Sequence, residues 1–457
     1  MAAERAGSVA RAKETAAKLH RRGVEGVVLS YVETAGINRI KAIPIGRLPS
    51  ATEKGVGMSP VFDTFVSDDS ITTTDVLGSP DGDLRLFPDL DQIVVLAGQP
   101  GWAWAPVDRL TQDGEPYAAC QRTFARRMVA QAADAKLSFK MAFEIEWCVG
   151  EGGTDEFVPA CSGSAYGMTR LVELSDYSRD VLVALEQEGV EVDQFHPEYS
   201  PGQFEVSVAA TDPVTAADRS VLVRQTIRAV TARHGLRPSF APSVVAGSVG
   251  NGGHVHVSAW REGANLFAGG TGRYAMTGDG EAFAAGILSA LPALCAIGSP
   301  TPASYLRLVP SHWAGAFSCW GRETREAALR FVTGLRGTEA AAANFEVKCF
   351  DLAANPYLVV GSLIACGLHG MDQRLTLPEE ITGDPVRFTD DELAATGVRR
   401  LPTTLSEAVD EFTACPPLRE ALGPTLADAI VAVRKAETER FADASPEDIV
   451  AALRWVF

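Results

Sequence analysis

Phe143-Glu144-Ile145-Glu146-Trp147 is the stretch on which the reading of this chain turns. On an extended strand successive side chains point to opposite faces, so residues two apart share a face. Phe143, Ile145 and Trp147 then make an apolar face, and Glu144 and Glu146 share the other. Alone, the segment also fits a half-exposed strand with a solvated acidic face. Three further segments repeat the pattern. His196-Pro197-Glu198-Tyr199-Ser200-Pro201-Gly202-Gln203-Phe204-Glu205 carries a second Glu pair, Glu198 and Glu205, across a Pro-Gly turn. Asn251-Gly252-Gly253-His254-Val255-His256 puts two imidazoles on one strand face after a Gly-rich loop, and Phe345-Glu346-Val347-Lys348 puts Glu346 and Lys348 on one face.

Together these segments offer carboxylates and imidazole on strands that can face a common space. Acids so placed repel and drive each other's pKa upward unless cations sit among them. Hard oxygen ligands with imidazole suit Mg²⁺ or Mn²⁺ better than zinc, and such ions bridge nucleotide phosphates. The cationic counterpart follows in Tyr305-Leu306-Arg307-Leu308-Val309-Pro310 and in Gly321-Arg-Glu-Thr-Arg-Glu-Ala-Ala-Leu-Arg330. Spaced guanidinium forks clamp phosphate and carboxylate. The same spacing also admits a solvated helix with an Arg322–Glu326 charge pair.

Outward from these motifs the chain has two textures. From Gly23 to about Val107 the apolar runs are short and broken by Gly, Pro and Asp, as in a small β-rich domain. The polar turn inside Leu110–Tyr117 marks a boundary, giving domains 1–114 and 115–457. Beyond it helices alternate with strands: a helix over 118–135, a strand over 142–149, a helix over 171–187, a strand over 203–209, a helix over 213–234, strands over 254–260 and 344–350, then amphipathic helices over 391–457. The fold class is α+β.

Composition excludes several functions. The 457 residues carry a net charge of −17, unsuited to phosphate backbones or an anionic membrane surface, so neither nucleic acid nor membrane is expected as partner. Hydrophobic residues make up 46% and charged residues 22%, the balance of a globular protein rather than a disordered one. The 8 Cys show no Cys-x-x-Cys pair, so no disulfide framework or structural zinc is indicated, and a cytoplasmic location is the default. Met1–Arg22 lacks the apolar core of a signal peptide and reads as a surface helix, and the apolar window 282–298, interrupted by Gly286 and Pro292, reads as a buried helix.

The motifs, in this order, resemble the glutamine synthetase family, from Tyr31-Val-Glu-Thr-Ala-Gly36 through Asp351-Leu-Ala-Ala-Asn-Pro-Tyr357 to Leu401-Pro-Thr-Thr-Leu-Ser-Glu-Ala408. The resemblance implies an N-terminal β-grasp domain and a large catalytic α+β barrel domain. It implies active sites between subunits of a homo-oligomer, in hexameric rings or a dodecamer. It implies two or more Mg²⁺ or Mn²⁺ per site, with ATP as co-substrate. By the same resemblance Glu146, Glu198 and Glu205 match the ligands of a first metal, and Glu144, His254 and Glu346 those of a second. His256 and Arg330 match groups on ATP phosphates, Arg325 one that steadies the transferring phosphoryl group, and Arg307 a clamp on L-glutamate.

Departures from the family pattern fall at the nitrogen site. A flap carboxylate that binds ammonium is matched by Trp313, and a second ammonium-site acid by Glu33, one methylene longer than the usual Asp. The usual Arg after the last metal ligand is Lys348. The glutamate-loop Asn has no clear counterpart: without gaps its place is Val249, though Asn251 is two residues on, and Gly250 between them is assigned to the substrate loop. Tyr166 is placed on the amine-pocket wall. An indole in place of a carboxylate removes charge and adds an apolar wall. The acceptor expected is therefore an organic amine, a small monoamine such as ethanolamine being favoured, with ATP and L-glutamate as the other substrates. A γ-glutamylpolyamine synthetase, an ammonium-using glutamine synthetase and a non-catalytic relative are the alternatives.

Overall fold

The strand Leu137–Glu151 is the spine of the larger of two sheets in the computed structural model, which describes residues 2–457. It is longer than the sequence predicts, because Leu137, Phe139 and Met141 continue the inward alternation before Phe143. Its ten-stranded sheet runs, in order of pairing, from Arg399–Arg400 through Phe317–Arg322, Ala327–Val332, Asn344–Val347, Val255–Arg261, Leu137–Glu151 and Gln203–Val208 to Val192–Pro197, with Leu236–Ser239 also paired to Leu137–Glu151 and Ala264–Asn265 to Val255–Arg261. Helices Gln121–Asp134, Pro213–Arg233, Gly278–Gly298 and Pro356–Asp372 supply its core. The apolar window is confirmed as a core helix, 83% of its most apolar stretch being buried. It crosses helix Pro356–Asp372 closely: a Cβ on Gly286 would lie 2.2 Å from Cys366 O and 2.7 Å from Gly370 Cα.

The smaller sheet is N-terminal, with Asn38–Pro44, Gly26–Val32, Trp102–Leu110, Leu84–Pro88 and Val56–Met58 in pairing order and Val94–Val95 beside Trp102–Leu110. Gly26–Val32 pairs in parallel with Trp102–Leu110 and antiparallel with Asn38–Pro44. Helix Ala2–Arg21 lays Ala16 and Leu19 on this sheet's core beside Val27, Leu29 and Val107. Met1, which the surface-helix reading includes, lies outside the described residues.

Two further local expectations differ from the structure. The helix predicted over 171–187 is two, Met168–Glu173 and Ser175–Gln187, separated at Leu174 with φ −114° and ψ 34°. The cause is Arg170, buried and donating to the carbonyls of Gly163, Glu198, Tyr199 and Ser200, which draws the first helix onto the turn before Gln203–Val208. The segment around Arg322 is no helix. It forms strands Phe317–Arg322 and Ala327–Val332, and Arg322 sits 4.5 Å above the Tyr274 ring rather than pairing with Glu326.

Candidate active site

Register across the sheet builds the site. Glu146 lies opposite Glu205, and Glu205 opposite His196. On the other side the Glu144 N–H donates to His254 O at 3.0 Å, His256 lies opposite Glu346, and Glu346 opposite Arg330. Six adjacent strands thus deliver acids and bases to one face.

Glu144, His254 and Glu346 converge. His254 Nδ1 is 2.8 Å from Glu144 Oε2 and 3.3 Å from Glu346 Oε1. His256 joins them, with Nε2 3.1 Å from Glu144 Oε1 and Nδ1 2.8 Å from Asn344 Oδ1. Both ring nitrogens of His256 face acceptor oxygens, which holds it as an imidazolium. Burial alone would lower its pKa, but the Glu144 hydrogen bond and charge raise it to about 9. Burial would likewise raise Glu144, yet the hydrogen bonds from His254 and His256 hold it well below the carboxylate range. Glu346 is held at about 2 against its burial by Lys348, His256 and His254. Arg330 Nη1 and Lys348 Nζ lie 3.0 and 3.1 Å from its two oxygens.

The second group is Glu146, Glu198 and Glu205. His196, which the sequence reading quoted but did not assign, belongs here: Nε2 is 3.3 Å from Glu205 Oε1 and Nδ1 3.6 Å from Glu198 Oε1. Burial, with the charges of Glu144 and Glu146, lifts Glu205 to about 7 despite the His196 hydrogen bond, and Glu198 is raised by burial and by Glu146. His196 itself rises to about 9, chiefly through its Glu205 hydrogen bond. Glu146 Oε2 accepts from Gln203 Nε2 at 3.0 Å and from the Gly252 N–H at 2.8 Å.

These donors fit Mg²⁺ or Mn²⁺. Ligand atoms of Glu144, His256 and Glu346 lie within 4.8 Å of one another, as do those of His196, Glu198 and Glu205. Each set is carboxylate oxygen with imidazole, and burial, with the charges of neighbouring acids, pushes Glu198 and Glu205 of the second upward. The imidazole grouped with Glu144 and Glu346 is that of His256; His254, the ligand expected from the sequence, lies beside the same two acids through its Nδ1.

Arg307 is buried beside both sets. Its Nη2 is 3.1 Å from His254 Nε2 and donates to Lys348 O, while Nη1 is buried with no partner. Such an orphan donor is what a carboxylate clamp leaves open. Two glycines make room for it. A Cβ on Gly250 would lie 2.0 Å from Pro242 O and 3.1 Å from Arg307 Cβ. A Cβ on Gly252 would lie 2.6 Å from His254 Nε2 and 2.8 Å from both Arg307 Nη2 and Glu146 Oε1.

Other expected residues stand differently. Glu33 is wholly buried within its own chain, its oxygens accepting the Ala35 and Ile37 N–H groups at 2.7 and 3.1 Å. Instead of reaching into an amine pocket, its longer side chain folds back on its own turn, and burial raises its carboxyl to about 8. Asn251 is no free amide either: Nδ2 donates to Ser239 O and Ala241 O, and Oδ1 accepts from Gln203. Tyr166 donates to Glu198 Oε1 at 2.6 Å and stacks on the His196 ring, which places it on the metal side. Trp313 is 54% exposed with φ 56°, and exposed Arg325 holds its guanidinium 5.9 Å from the indole. The Trp313 backbone N–H donates to Glu326, a buried acid that the sequence offers only as a charge partner for Arg322.

Comparison with known proteins places the whole chain in a family. The family model described as glutamine synthetase, catalytic domain, matches residues 118–450. The gamma-glutamylpolyamine synthetase GlnA3 of Streptomyces coelicolor is 60% identical over 456 residues, spanning 99% of this chain and 98% of the relative. A glutamine synthetase of Methanocaldococcus jannaschii is 29% identical over 434 residues, spanning 92% of each chain. Among solved structures, a novel glutamine synthase homolog superposes with TM-score 0.85 at 32% identity, covering 95% of this chain and 99% of that one. A GmaS/ADP complex superposes with TM-score 0.81 at 25% identity, covering 94% and 96%.

Proposed function

The chain belongs to the glutamine synthetase family, and from that premise we propose that it is an ATP-dependent ligase joining the γ-carboxylate of L-glutamate to a polyamine, with ADP and phosphate as co-products. The observation that carries the choice of amine is the end-to-end likeness to a gamma-glutamylpolyamine synthetase. A small monoamine such as ethanolamine is what the loss of the flap acid at Trp313 favours when taken alone. The relative's substrate weighs against it, and so does the buried acid at Glu326.

A carboxylate is a poor electrophile, and phosphorylation by ATP turns its hydroxyl equivalent into a leaving group. The amine nitrogen then attacks the acyl carbon, loses a proton, and phosphate departs. Charge neutralisation and alignment dominate such transfers. Glu146, Glu198 and Glu205, with Glu144, His254 and Glu346, would hold the divalent ions, whose bound charge would offset that of the phosphates. Arg307 offers its free Nη1 to a glutamate carboxylate. The His256 imidazolium and Arg330 would lend positive charge to the ATP phosphates, and Arg325 to the group in transit. Lys348 keeps Glu346 ionised.

The same reading makes residues 1–114 a β-grasp domain and 115–457 the catalytic domain, assembled as hexameric rings or a dodecamer in the cytoplasm. ADP release measured with glutamate and ATP fixed, across ammonium, ethanolamine, alkylamines, diamines and longer polyamines, tests the function. Best turnover with a polyamine is expected. Ammonium exceeding every organic amine would overturn the proposal.

A further inference from the structure

We propose that Glu326 is the specificity-determining carboxylate of the amine pocket, supplying from beneath Trp313 the negative charge that position 313 itself lacks. The inference rests on the amine-ligase reading above. Glu326 sits between strands Phe317–Arg322 and Ala327–Val332 and is only 6% exposed. Oε1 accepts the Trp313 N–H at 2.8 Å, whereas Oε2 is buried with no hydrogen-bond partner. An ionised oxygen without a partner in that setting is costly and calls for a cation.

The surroundings leave that demand unmet. Burial pushes the Glu326 carboxyl up; the Trp313 and Ser311 backbone N–H groups and the Lys348 charge draw it down without offsetting that, and Lys348 Nζ already donates to Glu346 Oε1 at 3.1 Å. Asp384 adds a like charge. Ser311 and Trp313, at φ 60° and 56°, turn the loop so that the Trp313 N–H points to Glu326 while the indole stays open. Arg325 already holds a cation 5.9 Å from that ring's centroid. A protonated amine at Trp313 would therefore meet an aromatic face and the charge of a carboxylate behind it. A multiply charged amine benefits more than a singly charged one.

The alternative role, a plain anchor for the Trp313 N–H, is separable by experiment. Glu326→Gln keeps an oxygen for that hydrogen bond and removes the charge. With glutamate and ATP saturating, E326Q should raise KM about 10- to 100-fold for the amine the wild type uses best. KM for glutamate and for ATP should be unchanged. Among organic amines the increase should grow with the number of charges. An amine KM equal to wild type overturns the inference, and so does an equal rise in all three KM values. Should E326Q fail to fold, Glu326→Asp carries the test, since it keeps the charge and shortens its reach: a selective rise in amine KM upholds the inference and no change overturns it. A wild type that prefers ammonium sinks the polyamine reading while leaving Glu326 testable, because E326Q assayed on ammonium still reads the lost charge.

Discussion

Glu146 and Glu205 occupy directly opposed positions on neighbouring antiparallel strands, so two acids share one spot on the sheet face. Like charges in that position destabilise a strand pair. Glu205→Ala should therefore leave the metal-free protein as stable as wild type, or more so. The increase in Tm on adding Mn²⁺ should shrink, with Mn²⁺ affinity falling about 100-fold or more. Differential scanning fluorimetry with and without the ion measures both. An unaltered Mn²⁺ response would remove Glu205 from the ligand set.

Arg307→Lys keeps the charge but loses the planar fork whose Nη1 is unpartnered. KM for glutamate should rise about 10- to 100-fold while KM for ATP stays near wild type. Steady-state kinetics with each substrate varied in turn decides this, and a matched rise in both KM values would indicate a general structural role instead.

Gly252→Ala places a methyl within 2.8 Å of His254, Arg307 and Glu146 at once. Overpacking of this kind costs about 1–3 kcal/mol in stability, so the fold should survive. Activity should not, because all three side chains must move. Circular dichroism should match wild type while kcat/KM falls at least about 100-fold.

Glu33 carries a pH signature. Burial raises its folded-state pKa from 4.5 to about 8. Between those values the folded state holds a proton that the unfolded state has released. This group's contribution to stability is thus fully present below about pH 4 and is lost as pH rises toward 8, with a slope of at most ~1.4 kcal/mol per pH unit. Glu33→Gln should lower stability at acid pH, where its amide faces the Ala35 N–H, and should flatten that part of the pH dependence. Urea unfolding from pH 5 to 8 reads the difference in slope, and parallel curves would refute the assignment.

Much of the site was legible because strand alternation is local. Glu144 with Glu146, His254 with His256, and Glu346 with Lys348 each announce a shared face within three residues. What escaped depends on partners far along the chain. His196 gains its place only through register with Glu205. Glu326 stands four residues from Arg322, a helical spacing, but the segment is two strands and the acid turns to Trp313 instead. Glu33 could be aligned with an ammonium-site acid, but alignment carries no information about a side chain closing on its own turn. The break at Leu174 follows from the carbonyls that gather around Arg170, which no periodicity encodes.

Arg170 has a further consequence for ion uptake. Its guanidinium gathers the carbonyls of Gly163, Glu198, Tyr199 and Ser200, so the loop carrying the carboxylate of Glu198 loses its freedom when the chain folds rather than when an ion arrives. Capture of the ion then avoids that ordering entropy. A residue on a separate helix would thereby set part of the affinity with which an ion is captured.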